Sequence, residues 1–131
     1  MNPASVDVCA MLEANSSLGL TFATNLFVGR EPATPDNCVV VFDIPGSSPL
    51  LTLERGEAYY YPGVQVRVRN INYLTGWALI HDIQALLHGV HGEIWNSTTY
   101  DLIKAMNNPF LLDWDENDRA RFICDFNISR K

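Results

Sequence analysis

The sequence predicts an α+β domain: a mixed, largely antiparallel sheet, two main helices packed on one face, and a long loop between the central strands. Three observations carry this. Apolar residues recur at helical spacing near the N-terminus and again over residues 73–88. The apolar run Cys38-Val39-Val40-Val41-Phe42 and the alternation Val64-Gln65-Val66-Arg67-Val68-Arg69 mark strands. Two apolar segments, 110–114 and 121–126, flank a polar turn in the pattern of a hairpin. At 131 residues the chain has the size of one domain with its own core.

Each element has a local reason. Asn2-Pro3 reads as an N-cap followed by proline in the first turn of a short helix that ends near Asn15-Ser17. Val6, Cys9, Ala10 and Glu13 share one side of it, with Val8 and Leu12 close by. Leu20 to Phe27 reads as a first strand, and the stretch from Gly29 to Asp36, with Pro32 and Pro35, as a loop. Cys38 to Phe42 is short, β-branched and fully apolar, as a central strand buried on both faces would be. Ile44-Pro45-Gly46-Ser47-Ser48-Pro49 stops it, and residues 44–62 form a long connection. A connection of that length is commonly functional or mobile, and Leu50, Leu51 and Leu53 let part of it dock as an arm over 44–61.

After Pro62-Gly63, the valines at 64, 66 and 68 face the core, and Gln65, Arg67 and Arg69 line the other face. A helix follows from about Tyr73 to His88, with Trp77, Ile80, Ile83 and Leu87 as its apolar stripe and Gly89 just beyond its end. Glu93 to Trp95 is a short strand. Thr98 to Met106 alternates in part, with Thr98, Tyr100, Leu102, Lys104 and Met106 on one side. The C-terminal hairpin spans 110–129, and Ala120, Phe122, Cys124, Phe126 and Ile128 fall on one buried face.

Composition narrows the function. The net charge is -6, and residues 1–57 hold seven acidic residues against two arginines. No Lys/Arg run appears, so the surface repels nucleic-acid phosphates. The three cysteines, Cys9, Cys38 and Cys124, are far apart and beside apolar residues, which predicts free buried thiols rather than disulfides or a metal. No secretory signal and no apolar run of membrane-spanning length is visible, which places synthesis and folding in a cytoplasm without a membrane partner.

The search for chemistry returns little. His81, His88 and His91 lack one-turn metal spacing, even with Asp82 added. Asp113-x-Asp115-x-Asn117-Asp118 opens like a calcium loop, but Asp118 stands where glycine is needed and Cys124 where glutamate is needed. A solvated hairpin tip accounts for those residues. No nucleophile elbow, phosphate loop or dinucleotide fingerprint is present, and no cofactor is called for. The strand carrying Arg67 and Arg69 has three readings: a solvated face, an RNA-binding sheet, or a protein interface. It carries no interleaved aromatics for base stacking. Tyrosine and arginine do anchor interfaces, and Arg67 suits a carboxylate from a neighbouring subunit.

The order Pro35-Asp36-Asn37-Cys38-Val39-Val40-Val41-Phe42-Asp43, then a loop, then Tyr61-Pro62-Gly63-Val64-Gln65-Val66-Arg67-Val68-Arg69, then a helix ending near Leu87-His88-Gly89, resembles the tail terminator or minor capsid proteins of long-tailed bacteriophages. The resemblance covers roughly residues 5–90. It implies a non-enzymatic α+β subunit of a hexameric ring that caps the tail tube and stops tube-protein addition. It also implies a face for head-completion or connector proteins, with genomic DNA passing through the ring unbound. The implied place is the head-proximal end of the tail in the virion, after assembly in the host cytoplasm. Asp36 and Cys38 lead into the shared central strand, and no catalytic residue transfers. Candidate subunit or tube contacts are Leu50, Leu51, Leu53, Glu54, Tyr59, Tyr60, Tyr61, Gln65, Arg67 and Arg69. Competing readings are another head-tail connector or head-completion protein, and a small cytoplasmic ligand-binding domain.

Overall fold

The computed structural model describes residues 1–51 and 58–131. Helix α1 spans Ala4–Ala14 and helix α2 Tyr73–Leu87. The strands are β1 Leu26–Val28, β2 Cys38–Leu51, β3 Ala58–Asn70, β4 Glu93–Trp95, β5 Thr98–Ala105, β6 Phe110–Trp114 and β7 Ala120–Arg130. They form one sheet in the order β1-β2-β3-β7-β5-β4, with β6 also paired to β7. Among the paired strands of the described residues, only β1–β2 is parallel. The mixed, largely antiparallel sheet is therefore as expected.

Both helices pack on the face that carries Val39, Val41, Val64, Val66, Val68, Phe122, Cys124 and Phe126, and these residues are all in one core. α1 lies over β1, β2 and β3, and α2 over β3, β7 and β5. The even positions of β7 from Ala120 to Ile128 are buried as a set, in agreement with the period-two reading.

Several local expectations are corrected. Asn2 does not cap α1: the cap position is Pro3, with no side-chain bond. The orphan helix N–H is instead satisfied from the sheet, where Asp43 accepts from Ser5 N (3.0 Å) and Ser5 Oγ (2.6 Å). The buried side of α1 holds Ala4, Val8, Met11 and Leu12 along with Cys9, while Val6 and Glu13 are exposed. The helix is apolar around most of its circumference, so spacing alone did not pick its face. Two polar residues, Ser5 and Asp7, are buried because Asp43 of β2 partners the first, and Tyr100 of β5 and Asn96 of the β4–β5 turn partner the second.

The first strand is only Leu26–Val28. Asn25 folds residues 21–25 into a turn by accepting from Thr21 N (2.7 Å) and donating to Gly19 O (3.0 Å). The alternation in β5 breaks at a register shift between Tyr100 and Leu102, so Tyr100 and Ile103 are both buried. In α2, Asn72 accepts from Thr75 N, and Gly89 follows the helix at φ +95°, the left-handed conformation expected of it. Gly76, not Trp77, sits on the buried side.

The long connection is present, but strand pairing extends into it from both ends. Ser47 pairs with Tyr61, Leu50 with Tyr59 and Leu51 with Ala58. The ladder is irregular between Ile44 and Leu50, where Pro45 and Pro49 each lack an N–H. Gly46 is needed there, because a Cβ would meet Tyr61 O at 1.9 Å. The result is a ribbon that continues the two central strands past the flanking strand β1.

Candidate functional site

The face of the sheet away from the helices is organised by arginines. Val40, Arg67 and Ile123 are register partners across β2, β3 and β7, and Arg69 lies beside Arg121. Adjacent strands bring together side chains far apart in sequence. Glu31, from the loop after β1, accepts from Arg67 (3.4 Å), Arg69 (3.2 Å) and Arg121 (3.1 Å). Arg69 also donates to Pro35 O (2.6 Å) and Asp36 O (3.2 Å) and is only 2% exposed. Arg121 donates to both carboxylate oxygens of Asp113 in a bidentate pair, and this bonding to the carboxylate is the main cause that raises its pKa.

This arrangement revises the reading of the arginine strand. The carboxylate that Arg67 was expected to find on a neighbour is its own chain's Glu31. Arg69 is corrected from a surface contact to an internal tie that holds the 29–37 loop against the sheet. Gln65 is half-buried and spent in the same row, bonded to Asp125 (3.1 Å) and Arg67 (3.2 Å). Arg67 stays partly exposed, with its guanidinium 4.8 Å from the centre of the Phe42 ring.

The ribbon keeps more free surface. Leu50 is 50% and Tyr60 38% exposed. Tyr59 is half-buried, with Lys131 Nζ 5.2 Å from its ring centre. Tyr61 lines an open groove with Ser47, Leu102 and Lys104. Leu51 enters only through its backbone pairing, and Leu53 and Glu54 lie outside the described residues.

A second apolar surface was missed in the sequence. Trp114 stacks on Tyr73 with ring centres 6.1 Å apart, and Tyr73 meets Phe122 edge-on at 5.1 Å. Trp77, placed by its spacing in the core, is 41% exposed and lies against His81. Leu74, Phe110, Leu112 and Trp114 are exposed nearby on α2 and β6. The available signal was the density of aromatics at 73–77 and 110–114, which exceeds what one helix stripe and one hairpin face can bury.

The histidines have structural partners. His88 Nδ1 accepts from Ala105 N (2.9 Å), and the Nδ1 atoms of His81 and His91 bond to the carbonyls of Trp77 (2.8 Å) and Gly89 (3.0 Å). Asp115 serves the hairpin turn, accepting from Asn117 N, Arg119 N and Arg119 Nε (2.7 Å). Burial pushes its pKa up, but these hydrogen bonds outweigh that and hold it below the usual value. Among the described residues no group of three or more His, Cys, Asp or Glu side chains is placed to hold a metal.

The sequence matches the bacteriophage tail terminator protein family over residues 11–131. The chain belongs to this family. The match takes in the C-terminal hairpin, beyond the reach of the motifs read from the sequence. The terminator is accordingly a structural protein of the phage tail, acting in tail termination. Its fold is similar to that of a chain in the virion of a native gene transfer agent particle, with a TM-score of 0.67 at 13% identity over 96% of this chain and 92% of that one. A second solved chain gives a TM-score of 0.56 at 10% identity, over 98% and 91% of the two chains. Comparison with curated proteins finds no match.

Proposed function

We propose that the terminator assembles as a hexameric ring on the end of the tail tube, blocks further addition of tube protein, and offers its other side to a head-completion or connector protein. Genomic DNA crosses the ring without specific binding, in keeping with the -6 net charge. The observation that carries this reading is the β2–β3 ribbon. On the β2 side it extends beyond β1, while β7 follows β3 as far as Tyr60, and it leaves the side chains of Leu50 and Tyr60 exposed. A ring of identical subunits needs two unlike contact surfaces, and a capping ring needs a third for the tube. The ribbon supplies the reach for the tube or the next subunit, with Tyr59 and Tyr61 as its partly covered base.

The test is a Leu50→Lys, Tyr60→Ser double variant, in which both changes are at exposed positions. Folding should be unchanged, while electron micrographs should show tails of uncontrolled length that are poorly joined to heads. Tails of normal length carrying heads would overturn the role of the ribbon. Parent protein that binds connector rings but never tube ends would make it a connector instead.

A further inference from the structure

We propose that the aromatic patch shared by α2 and β6 is the head-side docking surface of the ring, and that its occupant is a basic, apolar segment of an unlike protein. This rests on the ring reading above, with the ribbon end turned towards the tube. Position is the first support. β3 and β7 pair in one register from Tyr60–Arg130 to Asn70–Ala120. Tyr60, on the ribbon, is therefore about 33 Å from Asn70 along an extended strand. Asn70 pairs with Ala120, and Ala120 with Trp114, so Trp114 lies in the row of the sheet farthest from the ribbon. α2 begins just beyond that row, at Tyr73, whose ring stacks on Trp114. Trp77 joins them through Phe122, with ring centres 6.2 Å apart. Ribbon and patch thus occupy opposite ends of one strand, and a ring that sets the ribbon on the tube turns the patch to the head.

The patch has the chemistry of a binding surface. Leu74 is 74% and Trp114 49% exposed, and Tyr73 and Trp77 are exposed between them. Tryptophan and tyrosine are the side chains that anchor interfaces, and a cluster of them left in water marks a contact site. Its free charges are acidic. Glu116 and Asp118 are exposed in the turn that follows Trp114, and Asp82 is exposed further along α2. None of the three has an ion-pair partner among the described residues. The arginines on that side are already taken, Arg119 by Asp115 and Asp36, and Arg121 by Asp113 and Glu31.

Charge decides against a second copy as the occupant. Of the nine Lys and Arg residues, Arg67, Arg69, Arg119, Arg121 and Arg130 are ion-paired within the subunit. Among the described lysines and arginines, Arg30 and Lys104 alone have no side-chain partner. They lie apart, Arg30 in the groove with Phe22 and Phe27, and Lys104 on β5 opposite Asn127. A copy with a net charge of -6 brings repulsion to an acidic rim and no clustered cations to offset it. An unlike protein that carries Lys or Arg around an apolar segment complements both the rim and the aromatic centre.

Joining of purified tails to purified DNA-filled heads, counted by electron microscopy, tests this. Glu116→Lys with Asp118→Asn removes the acidic rim, and asparagine tolerates the left-handed backbone of Asp118 (φ +58°). Leu74→Gln removes the most exposed apolar side chain of the patch and keeps a good helix former. Tails built with either variant should be of normal length and join heads roughly tenfold more slowly, with unchanged thermal stability of the protein. Joining by the parent should weaken as salt rises, and joining by the charge variant should do so less. Joining at the parent's rate by either variant would overturn the proposal and leave the ring reading standing. Overlong tails would assign the patch to the tube or the next subunit, and would overturn it in the same way. Parent protein that forms no ring on purified tube ends would overturn the ring reading itself.

Discussion

Replacing Glu31 with glutamine should destabilise the terminator by about 3 kcal/mol. Glu31 is the one carboxylate shared by Arg67, Arg69 and Arg121, at 3.4, 3.2 and 3.1 Å. Hydrogen bonds to charged groups contribute about 1.5–3 kcal/mol each, but three such values do not add. Arg121 keeps Asp113, Arg67 keeps Gln65, and both are more than a fifth exposed, so water compensates much of their loss. Arg69 is different: its side chain is 2% exposed, and its remaining partners are neutral carbonyls. The cost is therefore essentially one buried cation left without its anion, at the low end of about 3–5 kcal/mol for a broken buried pair. For a domain of this size that corresponds to a Tm lower by roughly 10 °C. Thermal and urea unfolding of E31Q against the parent would measure it. In molar salt most of the difference should persist, because screening acts weakly on a buried pair. Arg30→Gln, at an exposed position without an ion-pair partner among the described residues, is the control and should change nothing. A loss below about 1 kcal/mol, or one abolished by salt, would refute this account and reduce the cluster to ordinary surface pairing.

Three further outcomes are expected. Gly76→Ala should destabilise by about 1–2 kcal/mol despite better helix propensity, since the added Cβ would lie 2.9 Å from the Phe122 ring and 3.1 Å from Asn70 Cβ; urea unfolding would show it. Asp7→Asn should cost about 2–4 kcal/mol by calorimetry. The residue is fully buried, accepts from Asn96 (2.6 Å) and the Tyr100 hydroxyl, and faces Arg130 at 3.8 Å. The thiols should resist a disulfide reagent at pH 8 until the protein is unfolded: burial pushes Cys9 up to about 12 and Cys124 up to about 11, and raises Cys38. Because the folded values are raised, the associated stability is complete below pH 9 and falls as pH rises through 9 towards 12, which unfolding measured across that range would detect.

Much of the fold was legible in the sequence because its signals are local. The valine alternation at 64–68, the apolar run at 38–41 and the even positions of β7 each have the period of the element they form, and they are buried as a strand face must be. The helix bounded by Asn72 and Gly89 has its end signals in the sequence. The family was legible too, in the order and spacing of those strands.

The candidate surfaces were less so. An arginine two residues from another reads as an outward face until a loop from elsewhere lies over it. Glu31 is 38 residues from Arg69 and reaches it only because the 29–37 loop folds across the sheet. Trp77 has the spacing of a core residue, yet Gly76 takes the buried position where α2 approaches Phe122 closely. Whether β6 was an edge depended on β5 and β6 sharing one side of β7, which no local pattern encodes. Residue type and period thus settled which strands and helices this terminator forms. Which polar groups are consumed inside the subunit, and which apolar ones remain for a partner, followed from long-range packing, because pairing and exposure belong to neighbours in space rather than in the chain.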